Sequence, residues 1–345
     1  MAIHAYTSFT YSYLNRARVW AKTLKRQHPD WVIWAIITDK EPEGFVFNLE
    51  NEPFDELLTA EDLFGDDTER WLFGMDIVEA CTAVKGRALQ YILNKPNCKN
   101  VLYFDPDTAV FNSMQPVVDI LKDYSIVLTP HQIDPEPAAD HIAIEDNEIG
   151  SLRWGVFNLG FLAVANDVEG NRFACWWADR LHDYCHDRTD IGIFVDQKWC
   201  NLVPCFFDRV KVLRDPGYNV ASWNLSQRNL SFDDAGNLIV NGQLLRFFHF
   251  TKLGPIGDSM TARYAKGNVE VYETWSAYKR WIEENTDTRI PTGYWYYNLF
   301  KDGNPISKHV RIAYRTNLNL IKECPSPFDA GCSLIDVVEN SKDII

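Results

Sequence analysis

No run of about 18 apolar residues occurs in the 345-residue chain, so no helix long enough to span a bilayer is expected. The first residues, Met1 to Phe9, carry no basic segment followed by a long apolar stretch, and do not read as a secretory signal. The eight cysteines, at 81, 98, 175, 185, 200, 205, 324 and 332, contain no C-x-x-C pair, which argues against a zinc ribbon. Cys81, Cys175 and Cys200 lie in apolar surroundings and read as reduced core thiols, which makes the cytoplasm the expected compartment, with a peripheral place at the inner face of a membrane open to it. Neither GxGxxG nor GxxxxGK followed by Ser or Thr is present, which disfavours a dinucleotide dehydrogenase or a P-loop enzyme. Positive charge is also scarce. With 34 Lys and Arg against 48 Asp and Glu the net charge is −14, so no nucleic-acid partner is expected. A nucleotide remains compatible, because a metal ion and a few local cations offset the field.

Aromatic residues, by contrast, are plentiful at 14%, including 12 Trp. Large rings are usually core, but their faces also suit the C–H face of a pyranose. The length fits one large catalytic domain, or a domain with an appendage.

The first part of the chain alternates helix and strand signals. Leu14, Ala17, Ala21 and Leu24 share a helical face, as do Ile77, Cys81, Val84, Ala88 and Ile92. Ala2 to Tyr6, Val32 to Ile37, Asn100 to Phe104 and Ser125 to Thr129 read as buried strands, with a helix at Val117 to Leu121. This alternation predicts an α/β fold, a mainly parallel sheet flanked by helices. Asp134 to Gly150 is acidic, carries Pro135 and Pro137, and reads as a mobile loop. Strands follow at Val156 to Ala165, Arg209 to Arg214 and Arg246 to Phe250, and a helix at Phe173 to Tyr184. Val271, Trp275, Tyr278 and Ile282 mark a late helix, and Gly293 to Arg315 an extension packed on the domain.

The feature that carries chemistry is Tyr103-Phe104-Asp105-Pro106-Asp107-Thr108. Two carboxylates one residue apart follow an apolar strand, where ligands of open α/β sheets bind. Asp105 and Asp107 in that spacing approach one Mg²⁺ or Mn²⁺, which then takes substrate phosphate oxygens. The bare motif is also common in turns. Lys85 and Arg87, on the preceding helix, and Lys252 are phosphate-clamp candidates.

Asp105-Pro106-Asp107 in this setting resembles the nucleotide-diphosphate motif of GT-A glycosyltransferases. Three further segments follow in the order of glycogenin-like members: Phe157-Asn158-Leu159-Gly160-Phe161, Asp196-Gln197 and Phe247-Phe248-His249-Phe250. A closer resemblance, to bacterial surface-polysaccharide glycosyltransferase modules, runs nearly end to end. It rests on Tyr11 to Arg18, His28-Pro29-Asp30, Thr129-Pro130-His131, Asp196 to Trp199, Asn219 to Asn224 and Asp302 to Ile306. Where that group often has a Ser-Gly run after the His, this chain has Thr251-Lys252-Leu253-Gly254-Pro255.

The resemblance implies a GT-A (Rossmann-like) catalytic domain at 1–265, with a nucleotide-binding half at about 1–130 and an acceptor half at about 131–265, and a C-terminal helical extension at 266–345. It implies a metal site of Asp105, Asp107 and His249 holding Mn²⁺ or Mg²⁺. Tyr6, Thr7 and Ser8, after the first strand, and Asp39 would hold the nucleobase or ribose, and Lys85, Asp105 and Lys252 the rest of the donor. Asn158, Asp196 and Gln197 would face the reacting sugar, and His131 the acceptor. For Asp196 a helix N-cap is the plain alternative. The partners implied are a nucleotide-sugar donor, by default a UDP-sugar, and a carbohydrate or lipid-linked glycan acceptor, with retention of configuration favoured. The rivals are a sugar-nucleotide nucleotidyltransferase, which would bring a basic Gly-rich loop where Tyr6 to Arg18 has no Gly, and a non-enzymatic carbohydrate-binding protein.

Overall fold

A computed structural model describes residues 2–329 together with Gly331, Leu334, Ile335 and Val338. Met1, Cys332 and the remainder of the expected 266–345 extension lie outside the described residues.

Four apolar runs lay down the first strands: β1 Ala2–Phe9, β2 Val32–Ile37, β3 Glu56–Thr59 and β4 Cys98–Phe104. After them come β5 Thr108–Val110, β6 Ile126–Pro130 and β7 Phe157–Ala165. A short hairpin, β8 Asp187–Arg188 and β9 Ile193–Phe194, precedes β10 Val210–Val212 and β11 Val220–Ala221. A meander of β12 Leu230–Phe232, β13 Leu238–Val240 and β14 Gln243–Leu244 leads into β15 Phe247–His249.

The central sheet has seven strands in the order β10-β6-β7-β4-β1-β2-β3. Every pairing in it is parallel except those of β7 with β4 and β6. The expected mainly parallel α/β sheet is therefore what forms. Its central strands are buried on both faces. Tyr6, Val101, Tyr103 and Leu162 point into one core layer, under the Ile77–Leu93 and Val168–Tyr184 helices. Ala5, Leu102, Phe104 and Phe161 point into the other, under the Leu14–Gln27 helix, as the period-2 alternation of a strand requires.

The Ile77–Leu93 helix is started by a capping box in which Asp76 accepts from the Val78 and Glu79 N–H groups and Glu79 accepts from that of Asp76. Gly86 lets this helix meet the Val168–Tyr184 helix, because a Cβ there would lie 2.6 Å from Ala178 Cα. A second, three-stranded sheet, β11-β15-β5, lies beside the first. Its antiparallel β5–β15 register sets His249 opposite Thr108. A third core layer, with Phe248, Phe250, Trp275 and Tyr278, backs it through the Val269–Glu284 helix. In the Gly293 to Arg315 segment, buried Arg311 donates to the carbonyls of Phe73, Met75 and Tyr297.

Three expectations are corrected. Asp134 to Gly150 is not an open loop: residues 141–154 are helical, with a π-helical stretch at Ile144–Ile149. Its acidic side chains have specific partners. Asp140 caps Ala143, Asp146 accepts from Tyr264 and Arg263, and Glu136 accepts from Asn147 and Ser226. Next, β1 continues to Phe9, so Tyr6, Thr7 and Ser8 lie in the strand rather than in a loop after it, paired with β2 along their length. Finally, Cys175 is exposed and Cys81 only half-buried, while Cys200 is buried as expected. The outward side of the Val168–Tyr184 helix carries Cys175. Among the described residues no helix is long and apolar enough to cross a membrane.

Candidate active site and metal centre

The chain leaves β4 at Phe104 and turns through Asp105-Pro106-Asp107 into β5. Hydrogen bonds hold the turn on three sides. The Asp105 N–H donates to Gly160 O at 2.9 Å, the Thr108 hydroxyl donates to Asp105 O at 2.8 Å, and the Phe250 N–H donates to Asp107 O at 2.8 Å. Two strands distant in sequence, β7 and β15, are thereby fixed to the carboxylates. His249 Nε2 lies 3.0 Å from Asp107 Oδ1 and 3.6 Å from Asp105 Oδ2.

His249 is held from behind. Its Nδ1 lies 3.3 Å from Asn219 Oδ1. Asn219 donates its own amide N–H groups to Thr129 Oγ1 and Asn158 Oδ1, at 3.0 and 2.9 Å, so its oxygen is the atom left to face the ring. Nδ1 therefore carries the proton toward Asn219, and Nε2 is aimed at the carboxylates. Asn219 has φ +52°, a left-handed backbone that Asn tolerates better than most residues. Gly160 makes room for the ring, since a Cβ there would lie 2.4 Å from His249 Cε1. The Trp223 ring meets His249 edge to face at 5.3 Å.

Burial opposes the charge on Asp107, yet the His249 charge and hydrogen bond hold its carboxyl below the usual value. Burial likewise opposes the imidazolium, and Asp107 carries the His249 pKa above its ordinary value. A divalent cation at this site would compete with the proton that this pairing favours on His249, because imidazole ligates only when neutral. The donor set fits such a cation. Asp105, Asp107 and His249 each offer a ligand atom, all within 4.8 Å of one another. Two carboxylates and one oriented imidazole nitrogen suit a divalent cation.

On the other side of Asp105 lies a charged cluster. Lys85 Nζ is 3.0 Å from Asp105 Oδ1 and 2.8 Å from Asp196 Oδ2, and donates to Leu159 O at 3.3 Å. The Tyr103 hydroxyl donates to Asp105 Oδ1 at 2.6 Å. The Lys85 and Asp196 side chains are each 3% exposed. Burial disfavours the ammonium, but the two carboxylates outweigh it and hold Lys85 charged. Burial keeps the Asp196 carboxyl above its ordinary value even so, because one ammonium serves two carboxylates. The N-cap of the short helix at Lys198–Leu202 is Gln197, with no side-chain cap, so Asp196 is turned inward to Lys85 and does not cap.

Asn158 and Gln197 form a neutral relay between the two sides. Asn158 Nδ2 lies 3.3 Å from Gln197 Oε1 and 3.2 Å from His131 Nε2, while Gln197 Nε2 donates to Trp154 O. Burial pushes His131 down to about 4, so its ring is neutral.

The remaining sequence candidates are placed as follows. Tyr6 is fully buried and donates its hydroxyl to Lys85 O at 3.0 Å. Thr7 is fully buried. Ser8 lies 3.2 Å from the Tyr103 hydroxyl and lines a cavity of about 220 Å³ with Thr10, Tyr13, Lys85, Asp105 and Asp107. Asp39 accepts backbone N–H groups from Tyr11, Lys40 and Tyr296, tying the late segment to the loop after β1, and burial raises its pKa to about 7. Lys252 is exposed, at φ +52° in the turn after β15. Arg87 faces outward to Gln90 and Asp179. Residues to which the sequence assigned no role complete the site: Asn219, Tyr103, Tyr13, and Arg16, whose guanidinium stacks 4.2 Å from the Tyr13 ring centre. Asn219 opens the Asn219 to Asn224 segment of the resemblance, but only the register of β11 against β15, with Ala221 beside His249, reveals its task.

No family model matches the chain. It is 28% identical over 179 residues to uncharacterized protein YfnF of Bacillus subtilis (strain 168), across 51% of this chain and 57% of YfnF. With uncharacterized protein YfnD of the same strain it shares 24% over 176 residues, across 50% of this chain and 53% of YfnD. The chain thus spans a little over half the length of the curated relatives it matches. Among solved structures it is similar to galactosyltransferase LgtC in complex with donor and acceptor sugar analogs, at 17% identity and a TM-score of 0.44, over 80% of this chain and 95% of that one. It is also similar to glycosyltransferase GlyE of Streptococcus pneumoniae TIGR4, at 14% identity and 0.44, over 87% of this chain and 66% of that one. Mouse xyloside xylosyltransferase 1 in its apo form follows at 13% identity and 0.43, over 74% and 99%. Likenesses this distant assign no activity, and the reading of function rests on the geometry of the site.

Proposed function

We propose that this chain is a metal-dependent glycosyltransferase of the GT-A type, which moves a sugar from a nucleotide-diphosphate sugar to a carbohydrate acceptor. The observation that carries the reading is the convergence of Asp105, Asp107 and His249 at the carboxyl end of a central strand, with ligand atoms within 4.8 Å of one another and the His ring oriented by Asn219. That is where α/β sheets bind nucleotides.

Asp105, Asp107 and His249 would hold Mn²⁺ or Mg²⁺, whose chemistry there is to neutralise charge on a departing diphosphate. The chain's own residues do the rest. Arg16, at the rim beside Tyr13, adds a cation toward the phosphates. Lys85 is taken up by Asp105 and Asp196, so its work is to hold those carboxylates in place. Asn158, Gln197 and Asp196 line the side on which the donor sugar would lie. Among the described residues the carboxylates of this centre, Asp105, Asp107 and Asp196, are all engaged by Lys85 or His249. Retention of configuration is proposed from the resemblance of the Asp196-Gln197 pair and of His249 to retaining members of the class. UDP is the proposed nucleotide, with Ser8, Thr10, Tyr13 and Asp39 on its side of the site. The proposed setting is bacterial surface-polysaccharide synthesis in the cytoplasm, on a free or lipid-linked glycan acceptor.

The test is UDP release across a panel of UDP-sugars, with Mn²⁺ and with chelator, for the wild type and Asp107→Ala. Turnover of one donor, lost on chelation and lowered at least about 100-fold by the substitution, is the expected result. Absence of metal-dependent UDP binding by calorimetry would sink the reading.

A further inference from the structure

A groove of about 780 Å³ lies on the outer face of the Val269–Glu284 helix, lined by Phe111, Phe232, Tyr272, Trp281, Glu273 and Arg280 among others. The inner face of the same helix is spent on the core, with Tyr278 stacked on Phe250 at 3.8 Å next to the His249 strand. The groove thus backs away from the proposed metal centre and shares no side chain with it. It is an open groove rather than an enclosed pocket, a shape that suits an extended ligand lying along the surface. Its rings are open: Phe232 is 54% and Tyr272 39% exposed, and Trp281 sits 6.1 Å from Phe111 at the floor. Glu273 and Arg280 stand two turns apart on one helix face. No described residue takes up the carboxylate of Glu273 or the guanidinium of Arg280.

We infer that this groove binds a neutral, hydroxyl-rich oligosaccharide. Aromatic faces accept the C–H side of a pyranose, while a free carboxylate and a free guanidinium take its hydroxyl groups as acceptor and donor. The two charges cancel across the groove, which favours an uncharged ligand over an anionic one. The inference goes beyond the transferase reading, because it adds a glycan-holding surface that the reaction itself does not require.

The experiment is affinity electrophoresis of the whole chain in native gels carrying dextran, soluble starch or galactomannan, with hyaluronan as the anionic comparison. Retardation in at least one neutral gel and none in hyaluronan is expected, weakened about tenfold by Tyr272→Ala and by Arg280→Ala. Both positions are exposed, and metal-dependent UDP binding by calorimetry should be unchanged in both variants. The inference fails if no neutral polymer retards the protein, if hyaluronan retards it equally, or if both variants run as the wild type. A homodimer in sedimentation that Tyr272→Ala dissociates overturns it as well, by making the face a subunit contact. Loss of UDP binding with retardation intact would break the transferase reading alone, and the reverse would break this inference alone.

Discussion

The two flanks of Asp105 are built on opposite physical plans. On one side Lys85 is buried between Asp105 and Asp196, at 3.0 and 2.8 Å. On the other, His249 is steadied by neutral amides, with Asn219 bonded to Asn158 and Asn158 to Gln197. A buried charge cluster depends on each member, because removing one leaves an uncompensated charge in a low dielectric. An amide relay carries no net charge, so its failure is one of aim rather than of solvation. The carboxylate shared by both plans is held by charge on one side, while His249 Nε2 pairs with Asp107 and is aimed by the amides behind the ring.

Lys85→Met breaks the charged flank and should cost about 3–5 kcal/mol of stability in urea denaturation. The double variant Lys85→Met/Asp196→Asn should recover part of that loss, and equal losses in both would refute the charge argument. Asp39 lies between the plans, a carboxylate held by neutral N–H donors. Its folded pKa of about 7 is above its ordinary value. The folded state keeps a proton that the unfolded chain has released, so stability falls as pH rises from about 4 to about 7, at up to about 1.4 kcal/mol per pH unit. Asp39→Asn should flatten that slope when denaturation is followed across the window.

The neutral flank should respond in aim. Gly160→Ala pushes a methyl group against the His249 ring, and should cost about 1–3 kcal/mol while weakening Mn²⁺ binding in titration calorimetry. Asn219→Leu should lower Mn²⁺ affinity about 10–100-fold, with the His249 ring NMR signals reporting a changed tautomer. A variant that lost stability yet kept affinity would show that Asn219 serves packing only. Arg87→Ala, two residues from Lys85 but facing outward, should change stability by no more than about 0.5 kcal/mol.

Much of the sheet was legible in advance because its strands are short, largely apolar runs. Phe157–Ala165, for example, is buried at every position. The helical stripe from Ile77 to Ile92 was legible for the same reason, as its apolar side must be buried. The acidic stretch from 134 misled, because its charges signalled solvent while Tyr264, Arg263, Asn147 and Ser226, remote or helical in context, supply their partners. Tyr6 was expected in a loop after the first strand, on the nucleobase side, but β1 runs on to Phe9. Its ring lies in the core, with its hydroxyl donating to the Lys85 carbonyl.

By itself the sequence determined the alternation of elements and the pair of carboxylates one residue apart after an apolar strand. Both are local, set by side-chain periodicity and by the geometry of a single turn. The family resemblance had named His249 as the third member of the site, and the tertiary structure decided how it is held and what else surrounds the pair. The register of β5 against β15 brought His249 beside Asp107, the depth of the Ile77–Leu93 helix turned Lys85 from a phosphate clamp into a buried counter-ion, and the bond from Asn219 chose which nitrogen of His249 faces the carboxylates. Those outcomes depend on contacts between residues far apart in the chain, and local sequence carries no record of such contacts until the layers have packed.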